Sequence, residues 1–145
     1  MAGKQMTVPD AWARFGDVGR FGLGAAALLL PLKRRDWNGS FDALTGVLAS
    51  AAISKTLKPF IDERRPNGED EKSFPSQHAA ESFAAGLSLR RTLGEPFGPI
   101  GVGAATLVAT SRLFARKHWL RDILAGIAIG TAATIAVDAW RNRSA

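Results

Sequence analysis

Five stretches, roughly residues 19–32, 40–58, 77–93, 97–115 and 120–140, are dominated by alanine, leucine and glycine. Between them fall Pro31, Asn38-Gly39, Pro66-Asn67-Gly68 and Gly94-Glu95-Pro96, which break helices and mark turns. No stretch alternates polar and apolar residues with the period of two that a half-buried strand needs, so each is expected to be a helix. A bilayer core about 30 Å thick takes about 20 mostly apolar residues per helix. The fourth and fifth stretches approach that length, and the second does so with Asp42 and Lys55 only toward its ends. The first and third are short. In the fourth and fifth, apolar residues occupy every face rather than one stripe, which favours insertion in a membrane over a soluble bundle. The expected fold is all-α: one domain over residues 1–145, a bundle of about five membrane-spanning helices. A short amphipathic or irregular segment around Trp12 and Phe15, within residues 7–18, precedes them and either spans the membrane or lies on it.

Charge narrows the function. A net charge of +6 suits nucleic acid, an anionic membrane or a phosphorylated substrate equally well. Its placement separates them, because the cations cluster at the ends of apolar helices rather than along one polar helix face with interleaved aromatics, so no nucleic-acid partner is expected. If the chain crosses at each helix, Lys33-Arg34-Arg35, Arg90-Arg91 and Arg141-Asn142-Arg143 share one side, as the positive-inside rule expects of cytoplasm. Loops 59–76 and 112–121 fall on the other side, and they too are basic, which that rule does not explain. Pro9, Asp10, Arg14, Asp17 and Arg20 interrupt the run that a cleavable signal after Lys4 would need, so none is expected. With no cysteine, disulfides, thiolate catalysis and cysteine-ligated zinc are excluded.

The two histidines belong to strings that end up on that other side, His78 just after loop 59–76 in Pro75-Ser76-Gln77-His78 and His118 within 112–121. His118 and Asp122 stand four positions apart, so on a helix starting near His118 the carboxylate sits one turn below the ring and accepts a proton from it. The other ring nitrogen is then free and more nucleophilic. Ser76, after Pro75, is a good N-cap, which places Gln77 and His78 in a first helical turn whose unpaired N–H groups favour an anion. Lys58, Arg65 and Arg112 supply cationic donors, arginine's fork matching phosphoryl oxygens.

The strings Lys58-x6-Arg65-Pro66, Pro75-Ser76-x-His78 and Ser111-Arg112-x5-His118-x3-Asp122 resemble the signature of the type 2 phosphatidic acid phosphatase superfamily. That superfamily also holds bacterial acid phosphatases and vanadium haloperoxidases. The resemblance covers residues 58–122 with order and inner spacing intact. It implies a phosphatase without metal or other cofactor on a helical-bundle core, acting on lipid phosphates where the member is membrane-embedded. By this resemblance His118 is the nucleophile, Asp122 orients it, and His78 is the general acid that later activates water. Lys58, Arg65, Ser76, Arg112 and the Gln77 backbone N–H bind the phosphoryl oxygens. Gln77 departs from the pattern, which most often has glycine there. Either its side chain turns away and the chemistry is kept, or it meets the head group and restricts the substrate.

The expected protein is therefore a lipid phosphate or pyrophosphate hydrolase in a bacterial-type inner membrane, its site facing outward. Undecaprenyl pyrophosphate, phosphatidylglycerol phosphate and phosphatidic acid are candidate substrates. A lipid phosphotransferase using the same site and a non-catalytic membrane protein are the alternatives, and an oligomer stays open. Asp62, Glu63, Glu69, Asp70 and Glu71, with Arg116, Lys117 and Arg121, read as loop charges. Gly126-x3-Gly130 reads as close helix packing, within or between protomers.

Overall fold

A computed structural model describes residues 6–144; Lys4 and the rest of residues 1–5 lie outside the described residues, as does residue 145. Five helices follow in order, α1 (Val8–Lys33), α2 (Trp37–Leu57), α3 (Gln77–Leu93), α4 (Phe97–Phe114) and α5 (Leu120–Ser144), with a 3-10 turn at Lys58–Phe60. Among the described residues no strand forms; Glu63 and Lys72 make an isolated bridge that closes the long loop between α2 and α3. α3 is the hub and packs on each of the other four helices, while α4 and α5 scarcely meet.

The separate N-terminal segment does not exist as such, because residues 8–18 are the first half of one 26-residue helix. Thr7 and Asp10 cap each other's backbone N–H groups, and Pro9 falls in the first turn, where its missing donor costs nothing. With those extra turns α1 joins α4 and the Leu120–Arg143 part of α5 as helices long and apolar enough to cross a membrane. Their outward faces carry exposed Phe21, Leu29, Ile100, Leu107, Leu124 and Ile135, a surface that suits acyl chains. The chain is an integral membrane protein.

The hub is narrow because it is built from alanine. Ala79, Ala80, Ala84 and Ala85 are fully buried, and α5 rides against them on glycines. A Cβ at Gly126 would come within 2.4 Å of the Ser76 carbonyl oxygen, and one at Gly130 within 2.2 Å of that of Ala80. The Gly126-x3-Gly130 pair thus serves packing inside the chain, seating α5 on the first turns of α3.

At one end of the bundle the Asp42 carboxylate is buried. Arg91 Nη2 donates to its Oδ2 at 3.0 Å, and Arg141 holds both of its oxygens. Arg91 Nη1 also reaches Asp138 at 2.6 Å, so α2, α3 and α5 are tied together there. The strings of the sequence motif lie at the other end.

Candidate active site

Each string reaches the site end for a local reason. Lys58 and Arg65 leave α2 through the 3-10 turn and the loop that Glu63 and Lys72 close. Ser76 caps α3, its hydroxyl accepting from the Ala79 N–H, and the first turn that follows carries Gln77 and His78. Arg112 sits in the last turn of α4. His118 lies in the tight link to α5, whose backbone folds over so that the Lys117 and His118 N–H groups both donate to the Arg112 carbonyl.

Hydrogen bonds then join the strings. Lys58 Nζ donates to the carbonyls of Pro75 and Lys72, each at 2.9 Å, and Arg65 Nη1 to that of Lys117 at 3.3 Å. The Ser76 N–H donates to the Asp122 carbonyl at 3.0 Å, binding the start of α3 to the start of α5. All eight residues singled out in the sequence, Lys58, Arg65, Ser76, Gln77, His78, Arg112, His118 and Asp122, belong to this one end of the bundle.

His118 is 3% exposed, and its Nδ1 lies 2.7 Å from the Ser73 carbonyl oxygen. A carbonyl only accepts, so Nδ1 carries the proton and Nε2 keeps its lone pair. No residue among those described hydrogen-bonds to Nε2. The expected direct bond from the ring to Asp122 is replaced, since Asp122 Oδ2 stands 3.5 Å from Nδ1 and accepts instead from the Ser73 hydroxyl at 2.5 Å and the Trp119 N–H at 2.8 Å. The reason is local: His118 precedes the helix that begins at Leu120, so the pair does not follow a regular helical ladder. Asp122 holds Ser73, and the Ser73 carbonyl holds the ring. Burial pushes the His118 pKa down, and although the Asp122 carboxylate opposes this, Arg65, Lys58 and Arg112 add to it.

The cations around it retain binding capacity. Arg112 is almost fully buried and its Nε has no hydrogen-bond partner among the described residues, a cost that an anion in reach of the guanidinium would remove. Burial first, and Arg65 second, lower the Lys58 pKa to about 8, although Asp70 and Asp122 pull the other way. The loop carboxylates are counterions: Asp70 takes Arg65 Nε at 2.7 Å, Glu69 takes Lys117 at 2.5 Å, and Glu63 pairs with Arg121. Gln77 turns its side chain along α3, donating to Glu81 at 2.5 Å, and Arg20 holds the other Glu81 oxygen at 3.1 Å.

The family model described as PAP2 superfamily matches residues 39–145. The chain belongs to the PAP2 superfamily. Among curated relatives, the decaprenylphosphoryl-5-phosphoribose phosphatase of Mycobacterium tuberculosis is 30% identical over 121 residues, 77% of this chain and 65% of that protein. This PAP2 chain therefore spans about two thirds of that relative's length. The lipid A 1-phosphatase of Porphyromonas gingivalis is 32% identical over 92 residues, 61% of the chain and 20% of that protein. Two crystal structures share the PAP2 fold. Aquifex aeolicus LpxE matches with a TM-score of 0.76 at 19% identity, over 93% of this chain and 87% of its own. The PAP2-type phosphatidylglycerolphosphate phosphatase of Bacillus subtilis matches with 0.69 at 21% identity, over 97% and 79%.

Three residues of the site end were not singled out for the site in the sequence: Ser73, Asp17 and Arg20. Ser73 looks like any loop serine, and its carbonyl, which touches His118, leaves no trace in a residue pattern. Asp17 and Arg20 were legible only as charges interrupting an apolar run, and it takes the fold to bring them onto α3.

Proposed function

We propose that this PAP2 protein hydrolyses lipid phosphates without a metal ion, through a phosphohistidine intermediate, on the extracytoplasmic side of a bacterial inner membrane. One observation carries the reading: His118, its Nδ1 committed to the Ser73 carbonyl, keeps Nε2 unengaged within the field of a buried arginine, Arg112, whose Nε is also unengaged. His118 Nε2 attacks phosphorus in line, the bond to the lipid oxygen breaks, and His78 gives that oxygen a proton. Water then attacks phosphorus and passes a proton to His78 as the P–N bond breaks, releasing phosphate. Lys58, Arg65 and Arg112, with the N–H groups of the first turn of α3, stabilise the charge that metal ions neutralise in other phosphoryl transferases.

Several features support a long-chain substrate. A groove of about 300 Å³ runs between α1 and α2, lined by Phe21, Ala25, Leu28, Leu44 and Leu48. Arg20 and Glu81 stand at its polar end, and Glu81 continues through Gln77 to the turn that carries His78. The names of the relatives fit a phosphomonoester on a large lipid, a polyprenyl-linked phosphosugar or a phosphorylated glycolipid included. Sidedness is supported by the opposite end of the bundle, where Arg34, Arg91 and Arg141 gather as cytoplasmic loops require.

The test is phosphate release in detergent, with chelator, from undecaprenyl pyrophosphate, phosphatidylglycerol phosphate, phosphatidic acid and a polyprenyl phosphosugar. Activity is expected in chelator, absent in His118→Ala and blocked by vanadate, which mimics the five-coordinate phosphoryl group. A requirement for a divalent ion, or activity retained by His118→Ala, overturns the mechanism. Transfer of phosphate to a lipid acceptor instead of water identifies a phosphotransferase.

A further inference from the structure

The α1 face that meets the site has its own pattern. Ala13, Gly16, Asp17 and Arg20 recur at spacings of three and four, so they line one side of the helix. Gly16 makes the approach close, because a Cβ there would come within 2.4 Å of Ser111 Oγ and 2.8 Å of Arg112 Nη1. The Ala13 carbonyl accepts from Arg112 Nη1 at 3.0 Å. Four residues on from Ala13, Asp17 Oδ1 lies 2.6 Å from His78 Nε2 and 3.3 Å from Arg112 Nη1.

A single carboxylate on α1 thus touches two residues of the motif, although α1 itself precedes the region matched by the family model, residues 39–145. Burial first, and then the cations Arg112 from α4 and Arg20 from α1, disfavour a charge on the His78 ring, and the group in contact with it that opposes them is the Asp17 carboxylate. An imidazolium in that position needs a counter-charge, and Arg20 is itself occupied by Glu81.

We infer that Asp17 is the positioning residue of the acid step: its carboxylate accepts the Nε2–H of a protonated His78 and aims Nδ1–H at the departing lipid oxygen. The inference rests on the proposed phosphatase mechanism. In the forward step the Nδ1 proton moves to the leaving oxygen as the P–O bond breaks, which leaves His78 neutral. In the second step Nδ1 takes a proton from the attacking water, and Asp17 stays ionised throughout. His118 and His78 would then each depend on a carboxylate, one from its own segment by way of Ser73 and one from across the bundle.

The leaving group gives the test. A lipid alkoxide is a poor leaving group and needs the acid, whereas p-nitrophenolate departs without one. Asp17→Asn keeps size and an acceptor oxygen but removes the charge. It should lower kcat on a lipid phosphate about 100-fold, within the range general acids supply, and lower kcat on p-nitrophenyl phosphate less than about 3-fold. Asp17→Glu should recover part of the lipid activity, and thermal unfolding in detergent reports whether each variant is folded. Equal losses on both substrates, unchanged lipid activity, or a gain on both overturn the inference while leaving the phosphatase reading intact. A gain would mean that Asp17 fills the oxyanion seat and competes with substrate. If the wild-type protein releases phosphate from neither substrate, the phosphatase reading falls and this inference falls with it.

Discussion

Both ends of the bundle bury charge, and they do it in opposite ways. At the end holding Asp42, each carboxylate oxygen is taken, Oδ2 by Arg91 and by Arg141 Nε, and Oδ1 by Arg141 Nη2. The cluster is closed, and its effect is to hold α2, α3 and α5 together. At the end holding His118, Lys58 is met only by carbonyls, Arg112 Nε has no partner among the described residues, and His118 Nε2 keeps a free lone pair. A buried cationic donor left without a partner and held rigid marks a place for an anion; filled capacity marks a joint. Charge alone does not tell these apart, because both ends are basic.

The largest expected effects divide along that line. On the proposed mechanism His118→Ala should abolish phosphate release, a loss of at least about 10⁴-fold, because it removes the atom that would bond to phosphorus, and losing the bond to the Ser73 carbonyl should cost only about 1 kcal/mol. Asp42→Asn should do the reverse. It takes away a charged acceptor from two arginines, costing about 1–3 kcal/mol of stability, while the folded fraction keeps its kcat. Unfolding and turnover measured on the same detergent preparations check both, and an Asp42→Asn protein that is stable but inactive would erase the distinction.

An intermediate effect is expected where packing and chemistry meet. Gly126 lets α5 lie against the Ser76 carbonyl, and the Ser76 N–H in turn bonds to Asp122. Gly126→Ala forces a methyl group into that contact, and overpacking of this kind costs about 1–3 kcal/mol. The displaced α3 start carries His78, so kcat should fall about 10- to 100-fold, as misplacement of a catalytic group by an ångström does. A substitution at Gly103, where nothing lies within 4 Å of the added Cβ, is the matched control and should change neither quantity.

What could be read from the sequence follows the same physics. Helix number and the α3, α4 and α5 boundaries were legible because Pro, Gly and Asn punctuate alanine-rich runs. The Ser76 cap was legible because its side-chain oxygen does its work three residues away. The N-terminal half of α1 was not, since Arg14, Asp17 and Arg20 make the segment look interrupted. In the fold a spacing of three puts Asp17 and Arg20 on the face toward α3, where Arg20 meets Glu81 and Asp17 meets His78. The motif located both histidines, but the Ser73 carbonyl that fixes the tautomer of His118 is a backbone atom, and Asp17 reaches His78 across 61 positions of chain.

Smaller effects probe the open end. Lys58 has its pKa lowered to about 8 by burial and by Arg65, so as pH rises through that value its ammonium loses the proton and the site loses a positive charge. kcat/KM reports the free enzyme and should fall about 10-fold above pH 8. In Lys58→Arg the charge persists to far higher pH, and that alkaline limb should vanish. A limb that stays put in Lys58→Arg would assign the titration to another group. On the acid side, His118 titrates below the ordinary histidine range, so its Nε2 remains available through neutral pH and activity should fail only in more acidic buffer.

The smallest effect is expected at the residue that most departs from the family pattern. Gln77 spends its side chain on Glu81, and Glu81 is also held by Arg20, so the amide is committed to the α1–α3 contact and its head is kept from the phosphoryl seat. On the proposed mechanism what the position gives the site is its backbone N–H, in the first turn where helical partners are lacking. Gln77→Gly keeps that donor and costs one hydrogen bond between half-buried groups. Turnover of a lipid phosphate should change less than about 3-fold, and stability should fall by about 1 kcal/mol from the lost bond and the added backbone freedom. A rise of tenfold or more on larger head groups would show instead that the amide narrows the entrance, which would put substrate selection at the rim of the open end rather than in the groove between α1 and α2.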